Sequence, residues 1–378
     1  MKIVLAFDSF KNCLPSTEIC RIAKQAALEE NPQCEIISLP LGDGGEGTAS
    51  AITCACGGTM QKYTLHDPLF RVIEAQWGKL DCNSAVFEMA AASGIELLKP
   101  FERNPMLTTT YGTGELLRHI VCEEKISNVT VCIGGSATVD AGVGMLQALG
   151  VKFYGSNGKL LPIPATAHDI ADIKKIDVSG IPHEFAAANI QIASDVNNPL
   201  CGEHGAARVF APQKGADSQM VEFLEQSLEN FGRLSVSSGI ADNFTSPGDG
   251  AAGGLGFALR NYLNARSTSG AELILKLLDF DNIIKGADIV ITGEGCSDFQ
   301  TAHGKLPAIV SEHAKANGVA TVLLSGALGK DHHTLQNTFD AMFSLTSSPC
   351  SLDKAIAETP ENLARMIKSI IHLLGRNR

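Results

Sequence analysis

At 378 residues, 44% hydrophobic and 19% charged, the chain can bury a sizeable core, exceeds the length at which one core keeps growing, and is therefore expected to form two domains. A net charge of −11, with no basic run longer than a dipeptide, argues against nucleic acid or an anionic membrane as partners; a small anionic substrate would need a local basic pocket. Eleven cysteines without a Cys-x-x-Cys pair suggest neither a disulfide framework nor a structural zinc site.

The short apolar run Ile3–Phe7, closed by Asp8, reads as a first strand and not as a secretory or membrane segment, which predicts a cytoplasmic protein. A helix over about Ser16–Glu29, a strand at Glu35–Leu39 and a glycine-rich turn into a helix near Thr48 complete a parallel βαβα opening. From Thr59 the texture changes. Three β-type runs, Thr59–Thr64, Val72–Gly78 and Ser84–Met89, are separated by the turn residues His66-Asp67-Pro68 and Asp81-Cys82-Asn83, which predicts an antiparallel meander. A helix at Gly114–Glu123, a strand at Asn128–Ile133 and a helix at Gly144–Leu149 follow, then an aperiodic surface excursion over Leu160–Pro182. After a strand at Gln191–Ala193 and an amphipathic helix from about Gln219 to Leu234, alternating βα texture resumes at Ile289–Thr292 and runs to a C-terminal helix at Glu361–Leu374. The expected architecture is α/β: a doubly wound Rossmann-like domain built from both chain ends (1–60 plus 285–378), with a second α/β domain (61–284) of partly antiparallel sheet inserted.

Five polar or glycine-rich segments sit at predicted strand ends, where open α/β sheets hold their ligands. Phe7-Asp8-Ser9-Phe10-Lys11 offers an acid suited to magnesium or to a proton, and a lysine suited to a phosphate or carboxylate. Gly42-Asp43-Gly44-Gly45-Glu46-Gly47 contains G-x-G-x-x-G, but it follows the second strand and its acids would repel a pyrophosphate; Asp43 and Glu46 fit magnesium or a substrate hydroxyl better. Gly134-Gly135-Ser136-Ala137-Thr138 joins a strand to a helix start, a backbone suited to anions with two hydroxyls beside it. Asp195 ends a strand as a general base or metal ligand, Lys214 follows in Pro212-Gln213-Lys214-Gly215, and Gly253-Gly254 offers another close-approach backbone. Gly293-Glu294-Gly295, Asp298 and Gly304-Lys305 supply acids and a cation in one loop. Each of these taken singly is also met in ordinary turns. Walker A, H-E-x-x-H and G-x-S-x-G sequences do not occur, which leaves P-loop, zinc-protease and α/β-hydrolase chemistry without support.

In order along the chain, these segments resemble the class I glycerate kinase family, together with Glu88-Met89-Ala90, Ala92-Ser93-Gly94, Thr110-Tyr111-Gly112-Thr113-Gly114-Glu115, Asn198-Pro199-Leu200 and Gly253-Gly254-Leu255-Gly256. The resemblance runs nearly end to end. It departs at Asn12-Cys13 and Pro15, where small polar or acidic residues and serine are commoner, and at Asp249, where alanine often stands. The resemblance implies ATP, a divalent cation such as Mg2+, D-glycerate as acceptor and usually 2-phosphoglycerate as product, at a cleft between two α/β domains. Assembly into a homo-oligomer stays open. Within that frame Asp8, Lys11, Asp195 and Lys214 are the expected catalytic set, with Asp195 or Asp8 accepting the proton. Gly134, Gly135, Ser136, Thr138, Gly293, Glu294, Gly295 and Lys305 are expected around the nucleotide, and Asp43, Glu46 or Asp298 on magnesium. A glycerate 3-kinase, a kinase of another small hydroxy-acid and a magnesium-dependent phosphohydrolase are the alternatives.

Overall fold

The computed structural model describes residues 1–42, 45 and 47–375, the side chain of His303 excepted. The chain enters through β1 (Lys2–Phe7), α1 (Ser16–Glu30), β2 (Glu35–Pro40) and α2 (Thr48–Ala55). It continues through β3 (Thr59–His66), β4 (Val72–Lys79), β5 (Ser84–Glu88), α3 (Ala90–Ser93), α4 (Tyr111–Arg118), β6 (Asn128–Cys132) and α5 (Val143–Ala148). A small antiparallel ribbon, β7 (Lys152–Tyr154) with β8 (Lys175–Asp177), brackets the 160–182 excursion. Then come β9 (Asn189–Ala193), α6 (Ala206–Phe210), α7 (Ser218–Ser237), α8 (Ala251–Leu263) and β10 (Arg266–Thr268). The chain closes with α9 (Gly270–Leu277), α10 (Phe280–Ile284), β11 (Ile289–Gly293), β12 (Cys296–Ser297), α11 (Leu306–Ala316), β13 (Ala320–Ser325), β14 (Ala327–Leu328), β15 (Ala341–Ser344) and α12 (Leu352–Gly375).

Two compact units result: Met1–Asp43 with Ser50–Gly57 and Ala271–Arg378, and Gly44–Ala49 with Gly58–Gly270. The first holds a parallel sheet in the order β15-β13-β11-β1-β2, so the two chain ends meet at the β1–β11 pair. The continuous apolar run of β1 is what a strand covered on both faces requires. Ile3, Leu5 and Phe7 pack with Ile19 and Ala23 of α1 and with Leu363, Ile367 and Ile371 of α12. On the opposite face α11 is tied to β13 by the Ser311–Thr321 hydroxyl pair at 2.9 Å. This is the doubly wound domain expected from the two chain ends, with the second α/β unit inserted between them.

The second unit's sheet runs β10-β9-β6-β5-β4-β3, parallel except where β4 pairs antiparallel with β3 and β5. The β3–β4 turn is built by buried Asp67, whose Oδ1 accepts from the N–H groups of Leu69 (2.8 Å) and Arg71 (2.9 Å) while Oδ2 takes Arg71 Nε at 2.6 Å. The acid replaces the backbone partners that a tight turn lacks, which is why His66-Asp67-Pro68 reads correctly as a hairpin.

One element departs from expectation. The C-terminal helix begins at Leu352 and runs through Pro360, not from Glu361. A proline there removes the hydrogen bond to the Ile356 carbonyl, and Cys13 Sγ donates to that carbonyl at 3.6 Å. The Gly253-Gly254 run, read as a close-approach backbone, lies in the first turn of α8, with Ala252, Gly253 and Gly254 in left-handed conformation (φ 52°, 68° and 92°). Close approach dictates the glycines: a Cβ on Gly253 would lie 2.0 Å from the Thr138 carbonyl oxygen. Asp249, one of the departures from the family pattern, is buried under Arg260, whose Nε and Nη2 donate to its two oxygens at 2.8 and 2.9 Å. Among the described residues no helix is long and apolar enough to cross a membrane.

Candidate active site

In the first unit, Phe7 pairs with Gly293, so Asp8 and Glu294 leave the sheet side by side at the carboxyl ends of β1 and β11. Asp8 N–H donates to the Gly293 carbonyl at 3.0 Å, and Ser9 N–H donates to Asp8 Oδ1 at 2.6 Å. Lys11 is exposed, in a loop closed by the Phe10–Leu14 bridge. Gly293 is explained by packing, since a Cβ there would lie 1.9 Å from the Leu324 carbonyl oxygen. Glu294 is buried and fully engaged: Oε1 accepts from Ser297 Oγ (3.0 Å) and Thr301 Oγ1 (2.6 Å), and Oε2 lies 3.3 Å from Lys305 Nζ. Ser297 also shares a hydrogen bond with Ser325. Asp298 Oδ1 accepts from Gln300 N–H at 2.9 Å. Asp43 and Glu46 lie outside the described residues.

In the second unit, β6 leads into Gly134-Gly135-Ser136. Gly135 takes φ 73°, which only glycine adopts cheaply, and the turn is pinned by Ile95 N–H to the Gly135 carbonyl and Ala137 N–H to the Ser93 carbonyl, both 2.9 Å. Ala92-Ser93-Gly94 thus acts as the brace of the glycine turn. Lys214, 78 residues further on, reaches it: Nζ donates to Ser136 Oγ at 2.7 Å and to the Thr138 carbonyl at 2.8 Å. The lysine is only 3% exposed. Burial among neutral partners lowers its pKa to about 7, against the pull of the Asp140 charge. Asp140 is itself fully buried, accepting from Thr110 N–H (2.8 Å), Thr110 Oγ1 (2.7 Å), Gly142 N–H and Gly144 N–H (both 3.2 Å). Burial pushes its carboxyl upward while those bonds pull it down.

A cavity of about 410 Å³ opens beside this group, lined by Gly134, Gly135, Ser136 and Lys214 among the expected residues. The Thr138 hydroxyl is buried and has no hydrogen-bond partner among the described residues. Asp195 is exposed; its Oδ1 accepts from Gly270 N–H at 3.0 Å at the start of α9, and its neighbour Val196, not Asp195, lines the cavity. Sequence reasoning missed Arg103, which lines the same cavity. It follows a turn instead of a strand, so nothing in the periodicity or glycine pattern marks it.

The glycerate kinase family model matches residues 3–375. The chain belongs to the glycerate kinase family. It is 38% identical over 373 residues to a Bacillus cereus protein named glycerate kinase (98% of this chain, 97% of the relative) and 38% identical over 377 residues to the glycerate 2-kinase of Escherichia coli (99% and 98%). It is also similar to the crystal structure of a Salmonella typhimurium LT2 protein described as a candidate glycerate kinase 2, at a TM-score of 0.89 and 36% identity, covering 100% of this chain and 99% of that one.

Proposed function

We propose that this protein transfers the γ-phosphoryl group of ATP to the 2-hydroxyl of D-glycerate, in the cytoplasm. Membership of the glycerate kinase family makes it a phosphotransferase with an alcohol acceptor. The observation that carries the finer reading is the near-complete alignment with a relative named glycerate 2-kinase.

The site chemistry supports the same reaction. Phosphoryl transfer asks for alignment and for neutralisation of charge on the transferred group, and little covalent work. Lys214, buried against a glycine turn at a strand end, supplies a desolvated cation whose electrostatic effect is larger than a surface lysine's. Lys11 and Lys305 are the corresponding cations of the first unit. Asp8 or Asp195 is the group that would accept the hydroxyl proton.

Magnesium fits as an ion brought in with the nucleotide. Among the described residues no three His, Cys, Asp or Glu side chains are grouped for a metal, and magnesium bound to substrate phosphates needs only one or two carboxylates. Asp298, with Oδ1 held by Gln300 N–H, is the described candidate. When bound, the ion would supply charge neutralisation at the phosphates.

The test is ADP formation from Mg-ATP with and without D-glycerate, followed by NMR of the product. Glycerate-dependent ADP with phosphate on the 2-hydroxyl is expected. Phosphate on the 3-hydroxyl would correct the regiochemistry, and ADP formation independent of glycerate would replace the kinase reading by a phosphohydrolase.

A further inference from the structure

The cavity beside β6 carries two cations, and only one was legible in the sequence. Arg103 and Lys214 come from backbone segments in contact: Gly215, at φ 98°, has no room for a Cβ, which would lie 2.2 Å from the Arg103 carbonyl oxygen. Both residues line the cavity. Arg103 Nε is buried with no hydrogen-bond partner among the described residues. Among the described residues its one acidic neighbour within salt-bridge range is Glu96, 3.7 Å from Nη2 and 77% exposed, a pairing too long for a hydrogen bond and too wet to neutralise the guanidinium. Lys214 spends two of its three N–H donors on neutral oxygens, and Asp140 behind it is already occupied by Thr110, Gly142 and Gly144. Two cations from touching backbone segments, one with an orphaned donor, therefore line a cavity whose wall beyond the glycine turn is Ile95, Ile133, Val196, Phe210 and Ala252, with Gln213 and the exposed Glu96 beside them.

We propose that Arg103 and Lys214 form the carboxylate clamp for the acceptor acid, with Arg103 the residue that makes the site select a hydroxy-acid over an uncharged alcohol. The inference rests on the D-glycerate reading above. A planar guanidinium presents paired N–H donors that match a carboxylate, and Lys214 adds a point charge from the glycine-turn side. At about 410 Å³ the cavity lies toward the small end of ligand pockets, suited to a three-carbon acid and small for a whole nucleotide. The apolar wall suits the carbon skeleton and raises the cost of leaving the two cations unpaired.

Calorimetric titration of the full chain with D-glycerate, and separately with Mg-ATP, tests the clamp on the wild type, Arg103→Met and Arg103→Lys. Arg103→Met is expected to weaken D-glycerate binding roughly ten- to a hundredfold, as loss of a charge-assisted hydrogen bond does, and to leave Mg-ATP binding unchanged. Arg103→Lys, which keeps the charge without the fork, should fall between and carries the test should Arg103→Met fail to fold. Unchanged D-glycerate binding in a folded variant overturns the role of Arg103 and leaves the proposed reaction standing. Weakened Mg-ATP binding with D-glycerate unaffected assigns the cavity to the nucleotide's phosphates and overturns the clamp. A wild type that binds no D-glycerate overturns the reaction and the clamp together.

Discussion

The two units answer the same demand, a charged group at the carboxyl end of a parallel strand, in opposite ways. Beyond β11, Glu294 is met by Lys305 and two hydroxyls, so charge is balanced by charge and the loop is complete as it stands. Beyond β6, among the described residues, Lys214 is met by a hydroxyl and a carbonyl, and the nearby Arg103 has a donor without a partner. The first arrangement lets a half-exposed lysine hold its place in a loop. The second leaves a buried lysine with neutral hydrogen-bond partners and a half-buried arginine with a single long, exposed acidic neighbour, the arrangement that the proposed carboxylate would complete. The difference teaches that a lysine after a glycine-rich strand end is informative only once its partners are known.

The largest effect should come from Lys214→Met, which would lower kcat/KM with D-glycerate about 10²- to 10³-fold, the usual consequence of losing one preorganised electrostatic donor. Unfolding in urea should show stability unchanged or raised, because an apolar side chain of similar volume replaces a buried charge whose direct hydrogen-bond partners are neutral. Near-normal turnover would erase the contrast between the units. Asp140→Ala should instead act on the fold, costing about 3 kcal/mol or more by denaturant unfolding, since four buried donors lose their acceptor.

Stability against pH sharpens the comparison further. With the Lys214 pKa lowered to about 7 in the folded protein and 10.5 as its ordinary value, the unfolded chain binds the extra proton between those limits. Unfolding takes up that proton, so the lysine's contribution makes the protein more stable as pH rises from about 7 toward 10.5, and is flat below about 7, where both states are protonated. In denaturant titrations at several pH values, that upward slope should be present in the wild type and absent in Lys214→Met. The smallest change is expected for Lys305→Met, about 1 kcal/mol in unfolding free energy, because the lysine is half-exposed and buried Glu294 keeps its two hydroxyl donors. A loss of kcat/KM as large as that of Lys214→Met would break the comparison from the other side.

Much of the fold is legible because its signals are local. The buried run of β1, the turn acid Asp67 and the stripe of α7, capped by Asp217 accepting from Met220 N–H at 2.9 Å, all lie within one element or one turn. The start of α12 is not, because proline ordinarily stops a helix and the thiol that takes over its orphaned carbonyl comes from Cys13, 343 residues away. The same holds for the site. Gly134-Gly135-Ser136 and Lys214 are recognisable as separate polar segments, but their meeting at 2.7 Å across 78 residues is a tertiary fact. Arg103 has no local signature; what marks it is a cavity and a missing partner, both products of packing.

The most direct test of the account is the protonation of Lys214 itself, followed by NMR of the 15N-labelled lysine side chains and assigned with Lys214→Met. The account predicts a midpoint near 7 in the free protein that moves upward on saturation with D-glycerate, as a carboxylate restores the charge that burial disfavours. An ordinary lysine midpoint in the free protein, or a midpoint near 7 that D-glycerate does not move, would contradict it.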